Sequence, residues 1–157
     1  NGRLKDYFGA LDSPAEAPRT RDVFSAFEPE NNPSVRGPLV ELLRGSRFGW
    51  SPRRMSPEQY RQTVSESMFV LSPPGRGLDC HRTWEAIYLG AVPVVLEGTL
   101  AKSIITGLPI LTLESYAQLL SKSHEEMVGL YAQVRVASTR RAFAPYWIEE
   151  IGKAANG

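Results

Sequence analysis

The sequence is poor in the residues that staple or metallate a fold. It has one cysteine, Cys80, in 157 residues, so no intrachain disulfide can form and the redox compartment stays open. Its two histidines, His81 and His124, leave too few ligands beside that thiol for a protein zinc site, and no metal is expected. No apolar run reaches the about 18 residues that a membrane-crossing helix needs. An excess of charge of one sign is missing too: 18 Lys and Arg stand against 17 Asp and Glu, a net charge of +1. A surface built to coat nucleic acid or an anionic membrane carries a clear basic excess, so neither partner is expected. The short pairs Arg53-Arg54 and Arg140-Arg141 read as solvated surface. The chain opens at Asn1 with neither methionine nor a charged-then-apolar leader, so it is expected to be a fragment or a processed product. Any anchor or targeting signal would then lie upstream.

What is present is an ordinary globular composition, 42% hydrophobic and 22% charged, at a length suited to one domain and too short for two. Residues 1–21 carry scattered proline and charge without a period and read as an irregular N-terminal segment, leaving 22–157 as the domain. Residues 22–27 form a short apolar run that suits a strand. Asn32-Pro33 then looks like an N-cap and a first-turn proline, opening a helix that Gly45 ends. Ser56, Pro57 and Gln59 spell a capping box, with a helix to about residue 65. The apolar run 68–72 fits a buried strand, and 73–77 must be loop. Asp79 is expected to cap a helix over 80–89, closed by Gly90. Strands follow at 92–96, where Pro93 argues for an edge or early position, and at 110–113. Ser115 with Gln118, and Ser123 with Glu126, mark two more helices, and a last helix is expected over 146–154. Strands alternating with helices predict an α/β fold, a three-layer sandwich around a mostly parallel sheet.

The chemistry concentrates where the strand at 68–72 meets the helix near residue 80. Small loop residues let a ligand approach the backbone, and the helix N-terminus offers unpaired N–H groups and a positive dipole end. Together they form an anion site suited to phosphate, at the carboxyl end of a strand where open α/β sheets bind ligands. Gly75-Arg76-Gly77 lacks the last glycine of a dinucleotide fingerprint and the Lys-Ser/Thr of a P-loop, which disfavours dehydrogenases and P-loop NTPases. On the helix, Arg82 and Glu85 are three apart and His81 and Glu85 four apart, so the three share a face. Cys80, Trp84, Ile87 and Tyr88 would form the apolar face. The fork of Arg82 matches a diphosphate, and Glu85, one turn deeper, is set to accept hydrogen bonds from ribose hydroxyls. Spacing alone leaves equal room for a plain surface ion pair between Arg82 and Glu85.

The residues Ser67-Met68-Phe69-Val70-Leu71-Ser72-Pro73-Pro74-Gly75, then Gly77-Leu78-Asp79-Cys80-His81-Arg82-Thr83-Trp84-Glu85-Ala86, then Gly90-Ala91-Val92-Pro93-Val94-Val95, closely resemble the exostosin-like glycosyltransferases. That family has a strand ending in a Pro-Gly loop, an Arg-x-x-Glu-Ala helix and a Gly-x-x-Pro-Val strand. The helix starts at Met55-Ser56-Pro57-Glu58-Gln59-Tyr60 and Asn32-Pro33-Ser34-Val35-Arg36 are similar to it as well. Clear likeness spans 56–97, weaker likeness 22–121. The resemblance implies a Rossmann-like lobe of a GT-B fold that holds a UDP- or GDP-linked sugar as substrate, with no separate cofactor. It implies inverting transfer to an acceptor hydroxyl on a glycan or glycoprotein, in the Golgi or endoplasmic reticulum lumen if the source is eukaryotic. Carried across, Glu85 is the ribose ligand, Arg82 and the loop with Ser72, Gly75, Arg76 and Gly77 form the phosphate site, and Arg36 and His81 are further donor ligands. The chain departs from the family at Pro74, where an arginine often precedes the loop glycine, which leaves base and sugar open and offers Arg76 as a substitute.

No residue stands out as the general base; Asp79 and Glu97 are acidic candidates, and the opposing N-terminal lobe is the usual source. The domain on its own is therefore expected to bind donor and transfer sugar poorly. Cys80, Trp84 and Tyr88 read as core, His124 as surface, and Asp79 as a cap before a ligand. Two other classes fit the same sequence: a nucleotide- or glycan-binding module without turnover, and a structural α/β domain in which Arg82 and Glu85 form only a salt bridge.

Overall fold

The computed structural model describes residues 18–51, 55–136 and 142. Four strands, β1 (Arg21–Phe24), β2 (Ser67–Leu71), β3 (Val92–Leu96) and β4 (Leu111–Leu113), form one sheet in the order β1-β2-β3-β4. All three pairings are parallel, with Val23 opposite Phe69, Phe69 opposite Val92, and Val94 opposite Leu111. Every residue of β2 is buried, as a strand covered on both faces requires. One face packs Val23, Phe69, Leu71, Val92 and Val94 against Leu39 and Leu43 of α1 (Pro33–Arg44) and Met127 of α6 (His124–Arg135). The other packs Phe24 and Val70 against Val64 of α2 (Pro57–Ser65) and Ala86 of α3 (His81–Tyr88). The fold is thus a Rossmann-like α/β sandwich with a parallel sheet. Two short helices, α4 (Lys102–Ile105) and α5 (Ala117–Leu120), complete the described elements together with a 3-10 turn at Pro29–Asn31.

Local signals in the sequence explain most of these boundaries. Ser56 accepts from Gln59 N at 3.2 Å while Gln59 Oε1 accepts from Ser56 N at 3.1 Å, a complete capping box. Ser123 and Glu126 repeat it at the start of α6. The end of α3 is a Schellman closure: Ala91 N donates to Ala86 O at 2.9 Å and Gly90 N to Ile87 O at 3.1 Å, with Gly90 at φ 77°. A Cβ at Gly90 would also collide with the Arg19 guanidinium. Arg19, within the stretch expected to be irregular, donates to the carbonyls of Val64, Ser65, Ser67 and Leu89, tying the ends of α2 and α3 to the strand entry. From α6, Tyr131 Oη and Arg135 Nε both donate to Gly90 O, at 2.9 and 3.0 Å.

Several expectations are corrected. Asn32 precedes α1 as expected but makes no side-chain cap: its Oδ1 accepts from the Ser34 hydroxyl at 3.0 Å while its amide donates to Gly75 O at 3.2 Å. Cys80, not Asp79, is the N-cap of α3; the Asp79 carboxylate instead accepts from Trp84 Nε1 at 2.9 Å. That bond draws Trp84 to the half-exposed side, and the face of α3 on the sheet is Cys80, Thr83, Ala86 and Ile87. Tyr88 is half-buried, its hydroxyl donating to Ala142 O. Small residues against the sheet let α3 pack closely, which Trp84 would prevent. Pro93 is early in its strand but β3 is interior. Ser115 forms only part of a box: Gln118 Oε1 accepts from Ser115 N, yet the Ser115 hydroxyl accepts from Ala117 N and Tyr116 is the N-cap. His124 is exposed as expected, and its Nδ1 lies 2.7 Å from Asp22 Oδ1. The helix expected over 146–154, residues 1–17, Arg53-Arg54 and Arg140-Arg141 lie outside the described residues.

Candidate functional site

The loop after β2 is built on Arg36. This side chain is 1% exposed, yet it is a full cation, and buried charges need partners. It finds them in backbone oxygens: Nε donates to Pro74 O at 2.9 Å, Nη2 to Pro73 O at 3.0 Å and Nη1 to Glu28 O at 2.8 Å. Its guanidinium also sits 5.5 Å from the centre of the Phe27 ring. The consecutive prolines offer carbonyls without competing N–H donors, so one guanidinium can hold the loop from beneath. Gly75 follows because a Cβ there would come within 2.9 Å of Arg36 Nη2. Ser72 follows β2 with its N–H on Val94 O and its hydroxyl 2.8 Å from the Thr83 hydroxyl, both side chains buried. Beyond Gly75, which is half-buried, Arg76, Gly77, Leu78 and Asp79 are exposed and the chain then enters α3.

Of the expected site residues, Gly75, Arg76, Gly77, His81, Arg82 and Glu85 come together on this loop and the first two turns of α3. His81 is exposed, while Arg82 and Glu85 are half-buried. Arg36 and Ser72 lie beneath them, with the contacts just given. No ion pair joins Arg82 to Glu85, and Arg82 makes none with any carboxylate among the described residues. Its Nη1 donates to Cys80 Sγ at 3.4 Å, a weak acceptor. Burial lowers the pKa of Arg36 from its ordinary value, and the charge of Arg82 lowers it further, so two cations face the same loop.

Three buried side-chain polar atoms among the described residues lack a hydrogen-bond partner: Tyr60 Oη, Arg82 Nε and Tyr116 Oη. All three belong to this neighbourhood. Burial first, and then the Glu85 carboxylate, raise the pKa of the Tyr60 hydroxyl above the tyrosine range, with Arg82 opposing. Tyr116, 4% exposed, is raised chiefly by burial and then by Cys80, with Arg36 opposing. Unpaired buried polar groups are costly and rare, and these three have their electrostatic neighbours at one strand–loop–helix corner. Sequence reasoning missed Asn32, Tyr60, Thr83 and Tyr116. Only Tyr60 carried a signal, four residues from Val64 on one side of a capped helix.

Among the described residues no cluster of three His, Cys, Asp or Glu could hold a metal, and no helix is long and apolar enough to cross a membrane. The parallel Rossmann-like sheet puts this loop at the carboxyl end of a central strand, where open α/β sheets bind ligands. Residues 42–127, more than half of the chain, match the family described as RXYLT1 C-terminal domain, a domain of the glycosyltransferase ribitol xylosyltransferase. The chain belongs to that family. The matched stretch runs from within α1 into α6 and includes the whole loop and α3. No curated protein matches the chain.

Proposed function

We propose that this domain holds the nucleotide-diphospho-sugar donor in a glycosyl transfer to an acceptor hydroxyl, as the donor lobe of a two-lobed, exostosin-like enzyme. The observation that carries the reading is Arg82. It stands in the first turn of α3, with Nε buried and unpartnered, beside a second cation and without a carboxylate. A diphosphate meets every one of those deficits: it accepts from the guanidinium fork, offsets both positive charges and takes the free N–H groups at the helix start. Gly75 and Gly77 allow close approach of phosphate to the backbone, Arg76 is free to close over it, and His81 reaches the same space from the adjacent turn. Glu85, one turn further along the helix and unpaired with Arg82, accepts from the ribose hydroxyls. Arg36 supports this site from below by holding Pro73 and Pro74.

The leaving nucleoside diphosphate develops negative charge as the glycosidic bond breaks. Arg82 and the α3 N-terminus stabilise that charge through fixed dipoles and a fixed cation, which supports inverting transfer without an obligatory metal. The family's name points to a xylosyl unit as the group transferred and a ribitol-bearing acceptor. The general base that deprotonates the acceptor belongs to the opposing wall of the cleft. Asp79 is committed to the Trp84 indole, which fits a structural carboxylate better than a proton acceptor.

The roles of Arg82 and Glu85 separate in one competition series. Arg82→Met is expected to weaken binding of a nucleoside diphosphate and of inorganic pyrophosphate alike. Glu85→Gln is expected to weaken only the nucleoside diphosphate, by about 1.5–3 kcal/mol for a charged hydrogen bond to ribose. Equal affinity of wild type and Arg82→Met for both ligands would remove the basis of the reading.

A further inference from the structure

We propose that Tyr60 is a positioning residue for Glu85: its hydroxyl donates to the carboxylate and turns the remaining oxygen toward the vicinal hydroxyls of the ligand. The inference rests on the donor-site reading and deepens it. α2 and α3 cover the same face of the sheet, where Tyr60 packs around the cluster that includes Val64 and Ala86, the neighbour of Glu85. The Tyr60 ring is held by Phe24, 5.9 Å away at 58°, so packing fixes where the hydroxyl lies. That hydroxyl is buried and has no partner. The titratable groups that act on it are Glu85, Arg82 and Cys80. Arg82 has no lone pair to offer, and the Cys80 sulfur is a weak acceptor already facing Arg82 Nη1. Of these three groups the carboxylate is the one strong acceptor. Glu85, for its part, is half-buried with no ion pair to orient it.

The chemistry suits the role. Burial and the nearby carboxylate both keep the phenol protonated, so it remains a donor throughout the physiological range. A neutral donor orients the carboxylate without neutralising it, as a cation would. One carboxylate oxygen then takes Tyr60 and the other stays free to accept from ligand hydroxyls, a supporting contact of the kind that fixes binding groups.

The test is calorimetric titration of the wild-type chain, Tyr60→Phe, Glu85→Gln and the double variant with UDP, GDP and their 2′,3′-dideoxy analogues. Tyr60→Phe keeps the ring against Phe24 and removes only the hydroxyl, so its melting temperature should fall by no more than about 4 °C. The expected result is about five- to tenfold weaker binding of the ribonucleotide by Tyr60→Phe. The double variant should be no weaker than Glu85→Gln alone, since Tyr60 acts through Glu85. The dideoxy analogue should bind wild type and Tyr60→Phe equally. Unchanged ribonucleotide affinity in Tyr60→Phe, or an equal loss with the dideoxy analogue, overturns the positioning role while leaving the donor site standing. Absence of binding by wild type itself removes the donor site and the proposal together.

Discussion

Replacing Arg36 by methionine distinguishes a loop support from a phosphate ligand. The guanidinium is 1% exposed and makes three hydrogen bonds to the carbonyls of Glu28, Pro73 and Pro74. Each bond from a charged donor contributes about 1.5–3 kcal/mol, and each carbonyl stranded without it costs about 1–3 kcal/mol. Relief of the buried charge's desolvation offsets a large part of that sum. Methionine fills much of the same volume, so the net loss is expected near 3 kcal/mol. For a chain of 157 residues this corresponds to a melting temperature lower by roughly 6–12 °C. Nucleotide affinity should fall with it, because Pro73 and Pro74 lose their anchor. Arg36→Lys should lie between, since an ammonium cannot reproduce the planar fork. Differential scanning calorimetry with and without nucleotide reads both quantities. A melting temperature within about 2 °C of wild type, with affinity alone reduced, would refute the support role and make Arg36 a ligand.

Gly90→Ala is expected to cost about 2 kcal/mol, since alanine must adopt φ 77° and displace Arg19. Urea denaturation should show a lower midpoint at an unchanged slope; an unchanged midpoint would contradict the closure described for α3. Nucleoside diphosphate binding is expected to persist in EDTA, because Arg82 and the helix N-terminus provide the positive charge. A dissociation constant raised tenfold or more on chelation would place a divalent cation in the site.

The fold was legible because its signals are local. The apolar runs ending at Leu71 and Leu96 mark the two central strands, Ser56 with Gln59 and Ser123 with Glu126 mark helix starts, and Gly90 marks a helix end. Each depends on residues within four positions of one another. The destinations of polar side chains were not legible, because they depend on what the fold brings near. Asn32 had a capping residue's chemistry and position, yet Gly75 O, 43 residues away, takes its amide. Asp79 meets Trp84 rather than the helix N–H groups, and Ser72 meets Thr83 across the strand–helix corner. Arg36 was expected as a donor ligand, yet the carbonyls of Pro73 and Pro74 take its guanidinium. In the candidate site, spacing put Arg82 and Glu85 on one face of the helix behind the glycines, and the structure brings them together there; spacing left their roles open, and the family resemblance assigned them. Tyr116 gave no signal and Tyr60 only its side of a capped helix, since nothing in their local sequence separates a core tyrosine from one whose hydroxyl lacks a partner.

The corner formed by residues 75–77 and the start of α3 is proposed to bind a nucleoside diphosphate. Isothermal titration of the 157-residue chain with UDP and with GDP tests it most directly. Saturable one-site binding of at least one of them is expected, with a dissociation constant between about 1 μM and 1 mM, weakened tenfold or more in Arg82→Met. No heat of binding for either nucleotide at millimolar concentration, or equal affinity in wild type and Arg82→Met, would contradict it.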